Sequence, residues 1–206
     1  MNTQTKNIMK KVSNIAFIGL ILSMIFVPEV KATMQQGLMK LGFFNPDLKE
    51  ISVSVNPKNS NTDPAKAANY KMKMLDQTGK KVSLEDLKGK VVFINFWATW
   101  CGPCIAEMPS IQKLYDQFKD NDEVVFVILE AEGNKSKATK FMEKRKLSLP
   151  IYYPASDFPE EFFRGSLPTT VILDKQGNIA HKTEGMADYS GQDIVDFLNQ
   201  VIAMHP

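Results

Sequence analysis

Cysteine and histidine are almost missing from this chain: its 206 residues hold two of each. A secreted scaffold stapled by disulfides would spread four or more cysteines along the chain, whereas here both lie together, at 101 and 104. A zinc site wants about four ligands, and His181 and His205 are too distant and too badly spaced to complete one around that pair. No metal is therefore expected. Internal repeats and low-complexity tracts are lacking as well. An excess of one charge sign is lacking where it would matter. The formal charge of +2 comes from residues 1–32, which hold Lys6, Lys10, Lys11 and Lys31 against Glu29. The remaining 21 basic and 22 acidic residues nearly cancel, so nucleic acid is not an expected partner.

What is present divides the chain in three. Lysines 6, 10 and 11 precede an apolar run from Val12 to Val27 that Pro28 and Glu29 stop. Its most apolar part, Ile15 to Val27, spans thirteen residues, which suits the hydrophobic region of an export signal and falls short of the roughly 20 needed for a full span. Cleavage after Ala32 and retention as a membrane anchor both stay open. Either way the bulk of the chain is expected in the periplasm or on the outer face of the cytoplasmic membrane. Residues 33–68 read as an extension and linker. Within it, Met34–Phe44 could be amphipathic, Ile51–Val55 alternates like a strand, and Asn56–Pro64 is rich in turn formers. The domain proper is expected over 69–206.

Inside that domain strands and helices alternate. Tyr70–Leu75 opens it, with a turn at Asp76–Gly79. Lys90–Trp97 (KVVFINFW) is nearly all apolar and β-branched or aromatic, as a strand buried on both faces should be. A helix from Gly102 to Lys119, a strand at Glu123–Leu129 and a helix at Lys135–Lys146 follow. Leu149–Tyr153 reads as a short strand and Asp157–Phe163 as a short helix. Thr169–Leu173 and Ile179–Thr183 flank a hairpin turn at Asp174–Asn178. Ile194–Ile202 carries an apolar stripe at helical spacing. The order implies an α/β fold, a mixed central sheet flanked by helices.

Trp100-Cys101-Gly102-Pro103-Cys104 directly follows the buried strand and opens a helix. A cysteine at a helix N-terminus faces unpaired backbone N–H groups and the positive end of the dipole, and both favour the thiolate. Lowering a thiol pKa from about 8.5 to about 7 takes roughly 2 kcal/mol, more than the 0.3–1 kcal/mol or so of an exposed dipole contact. Direct N–H bonds to the sulfur must supply the rest. Cys101 is thus read as the nucleophile. Cys104, one turn on, can attack a mixed disulfide at Cys101 and release the partner. Pro103 removes an N–H in the first turn, where a helix tolerates it.

The stretch FINFWATWCGPCIAEMP (Phe93–Pro109) resembles the active-site region of thioredoxin-like proteins of the exported TlpA/ResA type, and the likeness runs from about Tyr70 to Ile202. The resemblance implies a thioredoxin fold and thiol–disulfide oxidoreductase activity with no bound cofactor. It implies a cis Leu167–Pro168 bond facing the dithiol, with Leu167 offering its backbone to an extended client. Cytosolic thioredoxin places an Asp six residues before the nucleophile, where this chain has Asn95, which cannot titrate. Glu107, three residues after Cys104, is the position to which the resemblance gives that proton work; otherwise it is an exposed charge at a helix start. Trp100 is read as client surface and Trp97 as packing. The lysines of 135–146 read as a solvated face, or else a docking patch for an acidic partner, and Met72 and Met74 as strand packing.

The function so implied is reduction of disulfides in client proteins, cytochrome c precursors being the clients the resemblance names, with electrons from a membrane thiol donor. An oxidant on the same fold is the alternative. The Gly-Pro dipeptide resembles thioredoxin, whose couple lies near −270 mV against about −120 mV for a strong oxidant. A copper-delivery or binding protein is a third reading; such relatives use three residues between the cysteines and a partner His, both missing here.

Overall fold

The computed structural model describes residues 9–19, 34–37 and 71–204. The strand read at Ile51–Val55 and the linker read at Asn56–Pro64 lie outside the described residues. Residues 9–19 are helical. Among the described residues no helix is long and apolar enough to cross a membrane.

Seven strands form one sheet in the order β2-β1-β5-β4-β3-β6-β7. They are β1 (Lys73–Leu75), β2 (Lys81–Ser83), β3 (Val91–Trp97), β4 (Val124–Glu130), β5 (Ile151–Pro154), β6 (Thr169–Leu173) and β7 (Ile179–Glu184). Three helices accompany them: α1 (Gly102–Phe118), α2 (Lys135–Arg145) and α3 (Gln192–Ala203). β3 is parallel to β4 and antiparallel to β6, so the sheet is mixed, as expected. All seven residues of β3 are buried, which is why its sequence shows no polar alternation.

The two faces of β3 feed two cores. Phe93 and Trp97 join a cluster with α1, α2 and α3, including both cysteines, Met142, Leu198 and Val201. Ile94 and Phe96 point the other way, to Met72, Met74, Leu84 and Phe162. The two methionines are therefore packing, between exposed Lys71 and Lys73. The α3 stripe lies where expected, with Ile194, Phe197, Leu198, Val201 and Ile202 buried.

Two local readings need correction. Asp157–Phe163 is not a helix. Only the amides of Phe162 and Phe163 reach back, both to the Pro159 carbonyl, so the segment closes a single turn. Sequence reading also misses β2 and a 3-10 turn at Leu84–Leu87. Each is three or four residues long with little apolar periodicity, and the turn is held by reciprocal Ser83 and Asp86 bonds.

The site is set by the sheet's connections. β3 ends at Trp97, and the chain crosses through α1 to β4 on one side, while β6 lies on the other. Because Phe96 pairs with Thr169, the antiparallel register brings the Leu167–Pro168 peptide to the end of the sheet where α1 begins. Loops meet there at the carboxyl end of a strand whose neighbours run different ways.

Candidate active site

Cys101 is the N-cap of α1, and its Sγ accepts a hydrogen bond from the Cys104 amide at 3.2 Å. The two cysteines form a disulfide, with their Cα atoms 5.3 Å apart. Cys101 keeps only 4% of its surface exposed and Cys104 none. When the disulfide is opened, the same amide faces a thiolate at the positive end of a 17-residue helix. The two sulfurs are thus placed differently: Cys101 Sγ faces a backbone amide at the helix mouth, and Cys104 lies in the low-polarity interior.

Behind the dithiol lies Glu107, fully buried on α1. Its Oε1 accepts from Asn95 Nδ2 at 2.8 Å, and its Oε2 accepts from the Ala187 amide at 3.2 Å. Asn95 Nδ2 also donates to Thr170 Oγ1 at 3.0 Å, across the β3–β6 pair that sets Asn95 opposite Thr170. Burial pushes the Glu107 carboxyl up to about 8, against the opposing pull of the two donors. The reading of Glu107 as an exposed helix-start charge is thereby removed. Tyr189, also buried, has its phenol held well above the ordinary value by burial and by the neighbouring Glu107 charge. A second tie accompanies the first: Ser110 Oγ donates to the Glu107 carbonyl and accepts from the Tyr189 amide. The 185–190 loop is thus pinned to α1 at two points. Its Gly185 amide reaches the Pro168 carbonyl at 2.8 Å, which links the loop to the proline peptide.

The Leu167–Pro168 bond is cis. Pro168 is buried, and partly buried Leu167 packs against the cluster that holds both cysteines. Trp97 is buried, with its ring 5.2 Å from that of Phe141. Trp100 is the opposite: 57% exposed, with its indole Nε1 donating to Glu132 Oε1 at 2.7 Å.

The Redoxin family profile matches residues 60–194, about two thirds of the chain and all of the site just described. This chain belongs to the Redoxin family. Among curated relatives, this Redoxin is similar to a thiol-disulfide oxidoreductase ResA of Bacillus cereus, with 37% identity over 111 residues, 53% of this chain and 64% of that protein. It is also similar to the thioredoxin-like protein YneN of Bacillus subtilis, with 40% identity over 114 residues, 55% of this chain and 66% of that protein. The chain thus spans just under two thirds of either relative's length. Among solved structures it resembles StoA from Bacillus subtilis, with 26% identity and a TM-score of 0.51 over 61% of this chain and 93% of that one. The thioredoxin-like fold expected from the sequence is the fold of this Redoxin.

Several residues of the Redoxin site are invisible to sequence reading. Glu132 lies 32 positions from Trp100, Ala187 lies 80 from Glu107 and Tyr189 lies 79 from Ser110. Glu130 ends β4 as a fully buried acid, and its Oε2 accepts from the Asn134 amide at 2.6 Å. Burial, with the Glu132 charge nearby, raises the Glu130 carboxyl above its ordinary value. A carboxylate closing an otherwise apolar strand, VVFVILE, is the one signal that could have drawn notice.

Proposed function

We propose that this chain is an exported thiol–disulfide oxidoreductase that reduces disulfides in client proteins. The observation that carries this reading is the Cys101–Cys104 pair at the mouth of α1 with the buried Glu107 carboxyl behind it.

In the reduced protein the Cys101 thiolate attacks one sulfur of a client disulfide. A new S–S bond forms, the client S–S bond breaks, and the client's other sulfur leaves as thiolate. The Cys104 thiolate then attacks Cys101 Sγ and expels the second client sulfur. The client has gained two electrons and, from solvent and Glu107, two protons; the protein is left as the Cys101–Cys104 disulfide.

The second attack needs Cys104 to lose a proton in the interior. Glu107 shares a helical face with it, one turn on. Burial lifts the Glu107 carboxyl to about 8, which makes it a far stronger base toward a thiol than an ordinary carboxylate near 4.5. Asn95 holds Glu107 by an N–H and takes no proton itself. The backbone beside Leu167 and Pro168, with the open face of Trp100, receives an extended client segment by main-chain pairing, which tolerates many sequences. Electrons return from a membrane thiol donor, and no bound cofactor is involved. Cytochrome c precursors are the clients proposed. The domain faces outward, at the membrane if the first 32 residues stay attached.

The test is the equilibrium reduction potential of the Cys101–Cys104 pair, measured against a dithiol couple alongside reduction of a protein disulfide. A value near the −270 mV or so of thioredoxin with rapid reduction supports a reductase. A value near the −120 mV or so of a strong oxidant turns the function into disulfide formation.

A further inference from the structure

Among the described residues from Lys71 onward, Trp100 is the only large apolar side chain left exposed, and it immediately precedes the cysteine read as nucleophile. Its ring takes part in none of the aromatic or cation contacts among the described residues, while its N–H edge is held by Glu132. An aromatic face carries partial negative charge, and here a full carboxylate sits at the rim of the same ring.

Glu132 is held in place. The loop that carries it is tied at its start by the Ala131 amide to the Trp97 carbonyl, at 2.9 Å. It is tied at its end by the Gly133 amide to the Glu130 carbonyl and by the Asn134 amide to the buried Glu130 carboxyl. Gly133 turns through a positive φ of 71°, and a Cβ there would touch Pro154 at 3.6 Å. A rim carboxylate fixed beforehand loses little freedom when a ligand arrives.

We propose that Trp100 and Glu132 form a subsite for an arginine or lysine side chain flanking the reactive cysteine of the client, a specificity that rests on the oxidoreductase reading above. The cation lies on the indole face and pairs with Glu132, while the client sulfur bonds to Cys101 one residue away. Lys135 and Lys137 open α2 just beyond the loop and are exposed. The preference is therefore one of contact, because the longer-range field on that side is mixed.

The experiment uses the full chain, reduced beforehand, and three disulfide-linked peptide dimers of the form acetyl-Gly-X-Cys-Gly-amide with X as Arg, Gln or Glu. Single-turnover rates are divided by those of dithiothreitol on the same peptides, which removes the effect of X on thiol chemistry. The Arg peptide is expected to react about three to ten times faster than the Gln peptide, and the Glu peptide slower than either. Glu132→Gln should bring the Arg-to-Gln ratio close to one, and Glu132→Asp should restore part of it. Equal normalised rates in the wild type, or a ratio that survives Glu132→Gln, would overturn the subsite while leaving the oxidoreductase reading in place. Failure to reduce any of the peptides or a protein disulfide would overturn that reading, and the subsite with it.

Discussion

Glu107 is the residue at which the proposed proton transfer and the pH dependence of stability are tested together. Its carboxyl titrates near 8 in the folded oxidised protein and near 4.5 when unfolded, so between those values the folded state holds the extra proton. Stability should therefore fall as pH rises from about 4.5 to 8, and Glu107→Gln should flatten that part of the profile, as read by melting temperature against pH in both proteins. Client release should run the other way, quickening as pH climbs toward 8 and the base form appears. In Glu107→Gln the first attack by Cys101 should persist while release slows, so that mixed disulfide accumulates in rapid-quench samples. Unchanged release would leave Glu107 a structural carboxyl. The position of Glu107 was legible in the sequence, since three residues on a helix from Cys104 means the same face. Its burial was not, because the groups that hold it come from β3 and from a loop 80 residues away.

At the scale of elements, legibility followed apolar periodicity. β3 and β4 are runs that only a doubly covered strand needs, and α3 shows its stripe plainly. β2 is Lys-Val-Ser and offers no such pattern; it exists because β1 presents an edge for it, pairing Met74 with Val82. Asp157–Phe163 looked helical by composition, but its amides close only a single turn, on the Pro159 carbonyl. The α3 stripe is also where the domain's stability can be probed away from the dithiol. Leu198 is completely buried in the cluster around Phe93 and Trp97, so Leu198→Ala should cost about 2–5 kcal/mol through lost burial and the cavity left behind. Urea unfolding of the oxidised proteins measures this; a loss under about 1 kcal/mol would mean that α3 packs less tightly than described.

Across the whole molecule, an export segment is read ahead of a dithiol domain, and the two halves are tested separately. The proposed export segment, with three lysines ahead of its apolar run, would put the domain outside, so a phosphatase fused after Ala68 should be active only on export. An enzyme active from the cytoplasm at that junction would contradict the topology and leave the dithiol chemistry untouched. The proposed chemistry turns on a division of labour between two sulfurs, one at the mouth of α1 facing an amide and the other fully buried. Trapping measures that division most directly. Reduced Cys104→Ser protein, mixed with a disulfide-bonded client and resolved by mass spectrometry, should accumulate a client adduct on Cys101, because attack proceeds and release does not. Cys101→Ser should form no such adduct and reduce nothing. Equal adduct formation by both variants, or none by either, would contradict the assignment of Cys101 as nucleophile and Cys104 as the group that releases the client.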